Sequence, residues 1–400
     1  MNINVVIVGH VDHGKSTLIG RLLYDSESIK EGRVKEIQKL AEEYKKRFEF
    51  AYFLDAFEDE LREERTIDTT GVIFKSKNYY TITDVPGHKE FIKNMLTGAS
   101  HADVAVLVVS CSQGIEEQTR RHAFLINMLG IKKLIVAVNK MDEVGYKKER
   151  FQEIQEKMEK LLSSFGYSHL PFIPISAMEG DNVYRKSSRM NWYTGPTLVE
   201  ALDSIQVERK QKPLRFVVQG IYPASSEELI LGRVESGTLR KDSELIFEPS
   251  GVKGKLRKIR VFEGEKDMAE EKDSVGVIFT GKARRGDVAG LLDTPPHPVD
   301  EFIGEAVLLI DSLREKDTLQ LKLGTAKVYA TIEKIKGKID SETGGLIEKN
   351  PEKINAGEAA IIHFSTQPLV VEKFSEVPEL GRFVLVRNNR NIAAGIVLEV

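Results

Sequence analysis

Apolar residues up to about residue 205 follow two alternating patterns. Short, mostly β-branched runs indicate strands of a buried sheet, and segments with helical spacing lie between them. Strands are predicted at Ile3–Val8, Tyr79–Thr83, Val104–Ser110, Leu134–Asn139 and Phe172–Ser176, with helices at Lys15–Leu23, Gln118–Leu129, Lys147–Phe165 and Pro196–Ile205. This order predicts a doubly wound, mostly parallel α/β sheet.

The pattern changes after the polar stretch Gln206–Lys212. Alternating strands with turn residues between them and no helical spacing predict a β-barrel. The proline-rich cluster Thr294–Pro298 cannot continue a strand ladder, and the β-rich stretch Phe302–Val400 beyond it predicts a second barrel. We therefore expect three domains, at residues 1–210, 211–297 and 298–400.

Composition narrows the class of protein. The chain has 400 residues, 41% of them hydrophobic and 30% charged, which excludes disorder. The net charge is −3, with −1 up to residue 210 and −2 beyond it, so a nucleic acid would need a local basic patch. The single cysteine, Cys111, excludes an intrachain disulfide and a cysteine-based zinc site. With no signal-peptide pattern and no apolar run of ~18 residues, we expect a cytoplasmic protein and no membrane contact.

Residues 9–16, GHVDHGKS, match the phosphate-loop pattern G-x-x-x-x-G-K-[ST]. The match follows a predicted strand and opens a predicted helix, as the mechanism requires. The glycines let backbone N–H groups surround a phosphate, Lys15 supplies a point charge at the outer phosphates, and the Ser16 hydroxyl can bind Mg²⁺. The loop predicts a nucleotide site.

The segment Asp84–His88 follows another predicted strand, at the sheet edge where open α/β folds bind ligands. The Asp84 carboxylate can reach the magnesium shell through water, and Gly87 can turn its N–H toward a γ-phosphate. The same pattern is also typical of a type II turn. Downstream of a phosphate loop, the nucleotide interpretation is favoured.

Two further loops indicate which base is bound. In Asn139–Asp142, an aspartate presents acceptors to guanine N1–H and the exocyclic amino group, a donor pair that adenine lacks. The Lys140 stem can pack along the base, and the Ser176-Ala177 pair after the next strand would place a backbone N–H at guanine O6. Four loops in this order predict GTP in preference to ATP.

Thr66 is the candidate for the mobile hydroxyl residue that closes over Mg²⁺ and the γ-phosphate. It follows a long, charged, helix-favouring insert, Ser28–Glu64. A plain surface threonine in a β-prone run is the alternative.

Other features have simpler interpretations. We expect Trp192 to serve packing, and the histidines have no metal-binding spacing. A run of basic residues is expected to be a solvated barrel edge; it comprises Lys253, Lys255, Arg257, Lys258 and Arg260.

The four loops together resemble the translational GTPases related to elongation factor Tu. The segments are GHVDHGKSTLIGRLLYD (9–25), DVPGHKEFIKNMLTGAS (84–100), NKMD (139–142) and SAMEGDNV (176–183). The resemblance continues through GRVESGTL (232–239), RRGDVAG (284–290) and GRFVLVRNNRNIAAGIV (381–397). It implies an α/β P-loop GTPase domain, with a doubly wound, mostly parallel sheet, followed by two β-barrel domains.

Two branches of this superfamily compete. Segments 50–60, 67–70, 118–142 and 192–203 look most like the GTPase subunit of bacterial sulfate adenylyltransferase. The rival, an elongation factor 1 alpha/Tu-like factor that delivers aminoacyl-tRNA to the ribosome, is favoured by segment 338–360. Against the rival, Ser112–Gln118 is short, Arg121 replaces an acidic residue and Ser225–Glu228 replaces a glycine-rich turn.

The net charge of the two barrels favours the sulfate adenylyltransferase branch. Because the two barrels sum to −2, a tRNA surface is not expected. We expect a subunit that couples GTP hydrolysis to the adenylation of sulfate by ATP, which gives adenylyl sulfate and diphosphate. Its partner would be a catalytic ATP sulfurylase subunit in a hetero-oligomer, with nucleic acid only under the rival interpretation.

One departure from the family concerns the segment before Thr66. The usual glycine and isoleucine positions are Glu64 and Arg65 here, so we expect altered closure and slow hydrolysis.

The resemblance assigns roles to individual residues. Mg²⁺ is held by Ser16, Thr66 and, through water, Asp84, while His88 orients the attacking water, assisted by Lys15 and Thr66. GTP or GDP is expected to contact Gly9, His10, Val11, Asp12, His13, Gly14, Lys15, Ser16, Thr17, Asp84, Val85, Pro86, Gly87, His88, Asn139, Lys140, Met141, Asp142, Ser176, Ala177 and Met178.

Overall fold

A computed structural model describes residues 2–29, 50, 71–84, 102–207, 212–224, 227–261, 264–340 and 345–400. The chain divides into two compact units that meet in sequence after Val207. The first holds the α/β sheet and the second holds two barrels. Within the described ranges, no helix is long and apolar enough to cross a membrane.

The first unit is built on a six-stranded sheet in the order β2-β3-β1-β4-β5-β6. All neighbours are parallel except β2, which pairs antiparallel with β3. Strand β4 is buried along its whole length, as a central strand covered on both faces should be. The strands are β1 (Asn2–Gly9), β2 (Gly71–Lys75), β3 (Tyr79–Asp84), β4 (Val104–Ser110), β5 (Leu134–Asn139) and β6 (Phe172–Pro174).

Four α-helices of the described residues belong to this unit: α1 (Lys15–Asp25), α2 (Glu117–Met128), α3 (Lys148–Ser164) and α4 (Leu198–Asp203). Helix α4 begins after Thr197, whose hydroxyl accepts the Glu200 N–H at 3.1 Å while the Glu200 carboxylate accepts the Thr197 N–H at 2.9 Å. The sequence predicts a start at Pro196, but this capping box makes Thr197 the N-cap and the helix begins after it.

The first barrel closes through six strands in the circular order β10-β15-β7-β8-β14-β11, with β12 paired to β11 and a separate β9-β13 ribbon. Its core contains Phe216, Phe247 and Leu256. The strands are β7 (Arg215–Ala224), β8 (Glu227–Ser236), β9 (Thr238–Arg240), β10 (Glu244–Glu248), β11 (Val252–Val261), β12 (Gly264–Lys266), β13 (Met268–Glu270), β14 (Ser274–Phe279) and β15 (Val288–Leu291).

The second barrel closes in the order β18-β23-β24-β16-β22-β19, with β20 paired to β19 and a β17-β21 ribbon. In its core the Phe302 and Phe364 rings stack, and the Phe383 ring meets both of them edge-on. The strands are β16 (Pro298–Leu308), β17 (Ser312–Arg314), β18 (Thr318–Leu323), β19 (Ala326–Ile339), β20 (Leu346–Lys349), β21 (Lys353–Asn355), β22 (Ala359–Val370), β23 (Arg382–Arg387) and β24 (Arg390–Glu399).

The two barrels have the same topology with one strand moved. When β24 is matched to β7, the strands β16, β18, β19, β22 and β23 match β8, β10, β11, β14 and β15, and the circular order agrees throughout. The ribbons and the appended strands correspond as well. The second barrel is therefore a circular permutation of the first, in which the first strand has become the last.

The two barrels are joined by a polar and apolar junction. Arg215 is 5% exposed and donates to Leu214 O at 2.8 Å and Thr294 O at 2.9 Å, and it pairs with the Glu372 carboxylate of the second barrel. The Thr325 hydroxyl donates to Val218 O at 2.7 Å. Val217 packs in the same cluster as the core of the second barrel. The barrels therefore form one unit.

The basic strand β11 is not a barrel edge, so that prediction was wrong. It pairs with β10 on one side and with β14 on the other. Its outward side chains do meet solvent, but most are paired with carboxylates: Lys255 with Asp242, Arg257 with Glu227, and Lys258 and Arg260 with Glu265. The alternation of basic and apolar residues came from the two faces of a barrel wall.

Candidate functional site

The carboxyl ends of the parallel strands lie along one edge of the sheet. Ile7 of β1 lies beside Asp84 of β3, and Ser110 of β4 lies beside Asn139 of β5. Three of the four predicted loops begin directly after these strands, and the fourth follows β6. The fold therefore brings residues 9, 84, 139 and 176, where the four predicted loops begin, to the edge where open α/β sheets bind ligands.

The phosphate-loop pattern links β1 to α1. Lys15, the first residue of α1, is buried, and its ammonium donates to Gly9 O at 2.8 Å and His10 O at 2.9 Å. The charge is thus held by carbonyls of its own loop. At the amino end of a helix, backbone N–H groups and the helix dipole also favour an anion.

Asn139 connects this loop to the two loops that are predicted to bind the base. Its side chain is 2% exposed, and its amide nitrogen donates to His13 O at 2.9 Å while its Oδ1 accepts the Ala177 N–H at 2.9 Å. Gly14 makes room for it, since a Cβ there would stand 2.5 Å from the amide nitrogen, and its φ of +87° also favours glycine. Asn139 therefore fixes the distance between the phosphate and base ends of the site.

Asp142 is anchored to the loop after β6. The Ser176 hydroxyl donates to Asp142 Oδ1 at 2.6 Å, and the Met141 N–H donates to Ile175 O at 3.2 Å. Within the described residues, Asp142 Oδ2 accepts no hydrogen bond. The carboxylate is therefore oriented on one side and retains acceptor capacity on the other, as recognition of two guanine donors requires.

The loop after β6 forms a tight turn around Ser176. The Gly180 N–H donates to Ser176 O at 2.7 Å and the Glu179 N–H to its hydroxyl at 3.2 Å. Since the Ala177 N–H is used by Asn139, the next donor along the loop is the Met178 N–H, which meets no acceptor in the part of the chain that is described. Met178 is thus the better candidate to meet guanine O6.

Burial keeps two histidines neutral at this end of the sheet, one within the phosphate loop and one on α2. Burial lowers the pKa of His13 to about 4, against the opposing effect of its hydrogen bond with Val108 O at 3.2 Å. Burial likewise lowers the pKa of His122 on α2 to about 3, and the neighbouring Lys15 charge lowers it further. At neutral pH, therefore, neither histidine adds a positive charge to that of Lys15.

Models of known protein families match three segments of the chain. Residues 1–208 match the model of the elongation factor Tu GTP binding domain, residues 228–290 that of elongation factor Tu domain 2, and residues 306–398 that of the GTP-eEF1A C-terminal domain-like family. The chain belongs to the elongation factor Tu family of translational GTPases. As a member of this family it binds GTP and GDP and is a GTPase.

Relatives extend over the whole length of this GTPase. Elongation factor 1-alpha of Aeropyrum pernix is 43% identical, over 100% of the chain and 97% of the relative. Elongation factor 1-alpha of Pyrococcus furiosus is 42% identical, over 100% of the chain and 98% of the relative. A solved structure of sup35 complexed with GMPPNP is 27% identical, with a TM-score of 0.47, over 100% of the chain and 94% of that chain.

These relatives overturn the choice of branch. The expectation of a sulfate adenylyltransferase subunit with an ATP sulfurylase partner is wrong, because relatives over the full chain are elongation factors 1-alpha. The error has a physical cause. A charge of −2 summed over the two barrels says nothing about a local patch, and a patch is what a polyanion meets.

Several predicted site residues of this GTPase lie outside the described residues. They are Thr66, Glu64, Arg65 and the loop 85–88 with His88; Asp84 ends β3, and only its backbone is described. Their assignments stay predictions. By contrast, the structure brings residues 9–17, 139–142 and 176–178 together.

Contacts around Trp192 and Tyr146 support the two loops that are predicted to bind the base. The Trp192 indole N–H donates to Tyr146 O at 3.0 Å, and the Tyr146 N–H donates to Met141 O at 2.8 Å. Arg189 pairs with Glu179 and lies over the Tyr146 ring at 5.4 Å. Trp192 also packs on Phe151, as the packing prediction for it requires, but its indole N–H additionally supports the turn that carries Asp142.

Proposed function

We propose that this GTPase is an elongation factor of the 1-alpha type that carries aminoacyl-tRNA to the ribosome in its GTP-bound state. The observation that carries the proposal is the 40–43% identity to elongation factors 1-alpha over 100% of the chain. Similarity over both barrels as well as the GTPase domain supports a shared role for all parts.

The nucleotide contacts are part of the proposal. Lys15 and the N–H groups of residues 9–17 bind the phosphates, Asp142 accepts from guanine N1–H and the 2-amino group, and the Met178 N–H donates to O6. The contacts of Asn139 with both loops support this arrangement. Met141 and Ala177 are buried, so they would shape the two loops and not touch the base through exposed side chains.

A magnesium ion fits the same edge. Ser16 follows Lys15 in α1. Asp84 lies beside Ile7 in the sheet, and Ile7 precedes the phosphate loop by two residues. A hydroxyl and a carboxylate are oxygen ligands of the kind that Mg²⁺ prefers. Ser16, Asp84 through water, and Thr66 would hold the ion, which would neutralise charge on the outer phosphates. His88 is the candidate to orient the attacking water, and the Glu64-Arg65 departure is expected to slow hydrolysis.

A basic seam along the barrel junction supports a polyanionic partner. Lys322 and Lys327 face each other across β18 and β19, an arrangement of like charges that costs stability unless an anion offsets it. Ala326 lies against Gly286, which follows the exposed side chains of Arg284 and Arg285 in the first barrel. We define these four basic residues as the basic seam and propose that it contacts the tRNA backbone.

The experiment is capture of tRNA by the nucleotide-loaded protein. We expect aminoacyl-tRNA to bind with GTP far more tightly than with GDP, and uncharged tRNA to bind weakly in both states. Lys327→Glu should weaken capture, because it reverses a charge in the basic seam. Equal binding in the GTP and GDP states would refute the proposal.

Lys349→Glu is the matched control. It reverses an exposed lysine on β20, opposite Gly337, ten residues along β19 from Lys327 and thus on the order of 30 Å away on an extended strand. Capture should stay near that of the unmodified chain. Equal losses in the two variants would indicate a response to net charge alone and remove the basic seam from the proposal.

A further inference from the structure

Arg21 on α1 lies where three segments that are distant in sequence meet. Its Nε donates to Asp25 Oδ2 at 2.8 Å, and its Nη1 donates to Met178 O at 3.3 Å. The side chains of Arg21 and Asp25 are 17% and 15% exposed, so water screens this ion pair little. The loop after β6 is thereby attached to the helix that begins at the phosphate loop.

The guanidinium is confined on its other sides. The Phe50 ring lies 4.7 Å from the guanidinium carbon and meets the Tyr24 ring edge-on. Gly180 is a second close neighbour, because a Cβ there would stand 2.2 Å from Arg21 Nη2, and the φ of +84° at Gly180 also favours glycine. Arg21 therefore has little freedom to move, and neither does the loop against it.

Met178 links this contact to base recognition. Its carbonyl accepts from Arg21, while its N–H meets no acceptor in the described ranges and is the donor proposed above for guanine O6. The remaining loop donors are already used: Ala177 by Asn139, and Glu179 and Gly180 by Ser176. The loop thus has one spare donor, and its peptide neighbour is held by Arg21.

We propose that Arg21 is a positioning residue for guanine recognition, which holds the Met178 carbonyl so that the Met178 N–H reaches the 6-position of the base. The proposal rests on the nucleotide contacts proposed above. It separates two halves of base recognition: Asp142 recognises the N1–H and 2-amino edge, and the Arg21-held loop recognises the 6-oxygen.

Nucleotide analogues distinguish the two halves. Inosine triphosphate lacks only the 2-amino group, and 6-thioguanosine triphosphate replaces the 6-oxygen with a poor acceptor. With Arg21→Met, calorimetric titration should show GTP affinity reduced about 10-fold, the effect of roughly one hydrogen bond. The preference for GTP over the 6-thio analogue should fall toward one, while the preference for GTP over the inosine analogue stays as in the unmodified chain.

Two further variants sharpen the test. Asp142→Ala should give the opposite result, losing the preference over the inosine analogue and keeping that over the 6-thio analogue. Arg121→Met is the matched control, since it removes an arginine from an exposed i,i+4 pair with Glu117 on α2 and should change neither preference.

The outcomes separate the failures. If Arg21→Met keeps the full preference over the 6-thio analogue, or loses both preferences equally, Arg21 has no specific role at the 6-position. Gly180→Ala, which places a methyl group against the guanidinium, should reproduce the Arg21→Met result in a folded protein. If the unmodified chain itself prefers GTP to neither analogue, the proposed nucleotide contacts fail instead.

Discussion

Two regions of the molecule join distant segments through a nearly buried polar side chain. One is the proposed nucleotide edge of the first unit, where β1, β3 and β5 end, and the other is the junction between the barrels. Asn139, 2% exposed, joins the phosphate loop to the loop after β6, and Arg215, 5% exposed, joins the two barrels. The hydrogen bonds are alike in length. What differs is the chemistry left over around each side chain.

At the barrel junction, the polar groups form hydrogen bonds with other groups of the protein. Arg215 is shared among Glu372 and two carbonyls. At the nucleotide edge, Asp142 Oδ2 and the Met178 N–H have no partner in the described ranges. A buried polar group whose contacts are all internal stabilises a fold, whereas an oriented group with capacity to spare at a sheet edge indicates a binding site.

The largest expected effect breaks the junction. Arg215→Met should lower the free energy of unfolding of the second unit by about 4 kcal/mol, because it leaves the Glu372 carboxylate and two carbonyls without their donor. Differential scanning calorimetry should show a lower unfolding temperature for the second unit, and the GTP affinity should be unchanged. Arg257→Met, which removes an exposed ion pair on β11, is the control and should give no resolvable shift. Equal shifts in both would contradict the assigned role.

The second effect breaks the nucleotide edge. Lys15→Ala should reduce GTP affinity about 100-fold, since charge-assisted contacts to phosphate contribute roughly 3 kcal/mol. Titration with GTP and GDP measures the loss. The transitions of the second unit should not move, because Lys15 contacts its own loop. Normal GTP affinity in this variant would remove the phosphate loop from the site.

A smaller change alters the base that the edge accepts. Asp142→Asn replaces an acceptor with an amide that can donate, so affinity for GTP should fall by about 2 kcal/mol while affinity for xanthosine triphosphate rises. Competition between the two nucleotides gives the ratio. A variant that keeps its preference for GTP over ATP and over the xanthine nucleotide would refute base recognition by Asp142.

The smallest effect, counted per histidine and per pH unit, is a difference in pH dependence between the two units. His13 and His122 are neutral when folded and regain ordinary pKa values when unfolded, so the first unit loses stability as pH falls from about 6.5 toward 4. The slope is about 1.4 kcal/mol per pH unit for each histidine. In the second unit, burial raises the pKa of Glu305 to about 7, so stability there is instead lost as pH rises from 4.5 through 7.

Calorimetry across this pH range measures the unfolding of both units. His13→Asn should reduce the pH dependence of the stability of the first unit. His169→Gln alters an exposed histidine and should leave it unchanged. Parallel slopes in the two units would show that other titrating groups dominate.

Much of the first unit could be predicted from the sequence alone. Strands β4 and β5 begin and end as predicted, because continuous β-branched runs form buried parallel strands. The edge strand β2 was missed, since five residues antiparallel to β3 give a weak pattern. The loops at residues 9–16 and 139–142 were found because each is contiguous and lies at the end of a strand.

Tertiary structure alone decided which distant residues meet. Arg21 and Met178 are 157 residues apart, as are Arg215 and Glu372, and no local pattern relates the members of either pair. The permuted order of the second barrel and the basic seam are equally non-local. Local sequence determines backbone conformation and therefore loops, whereas contacts across such separations depend on how sheets close and pack. The net charge led to the wrong partner for the same reason, because a sum along the chain does not show which charged residues lie together on the surface.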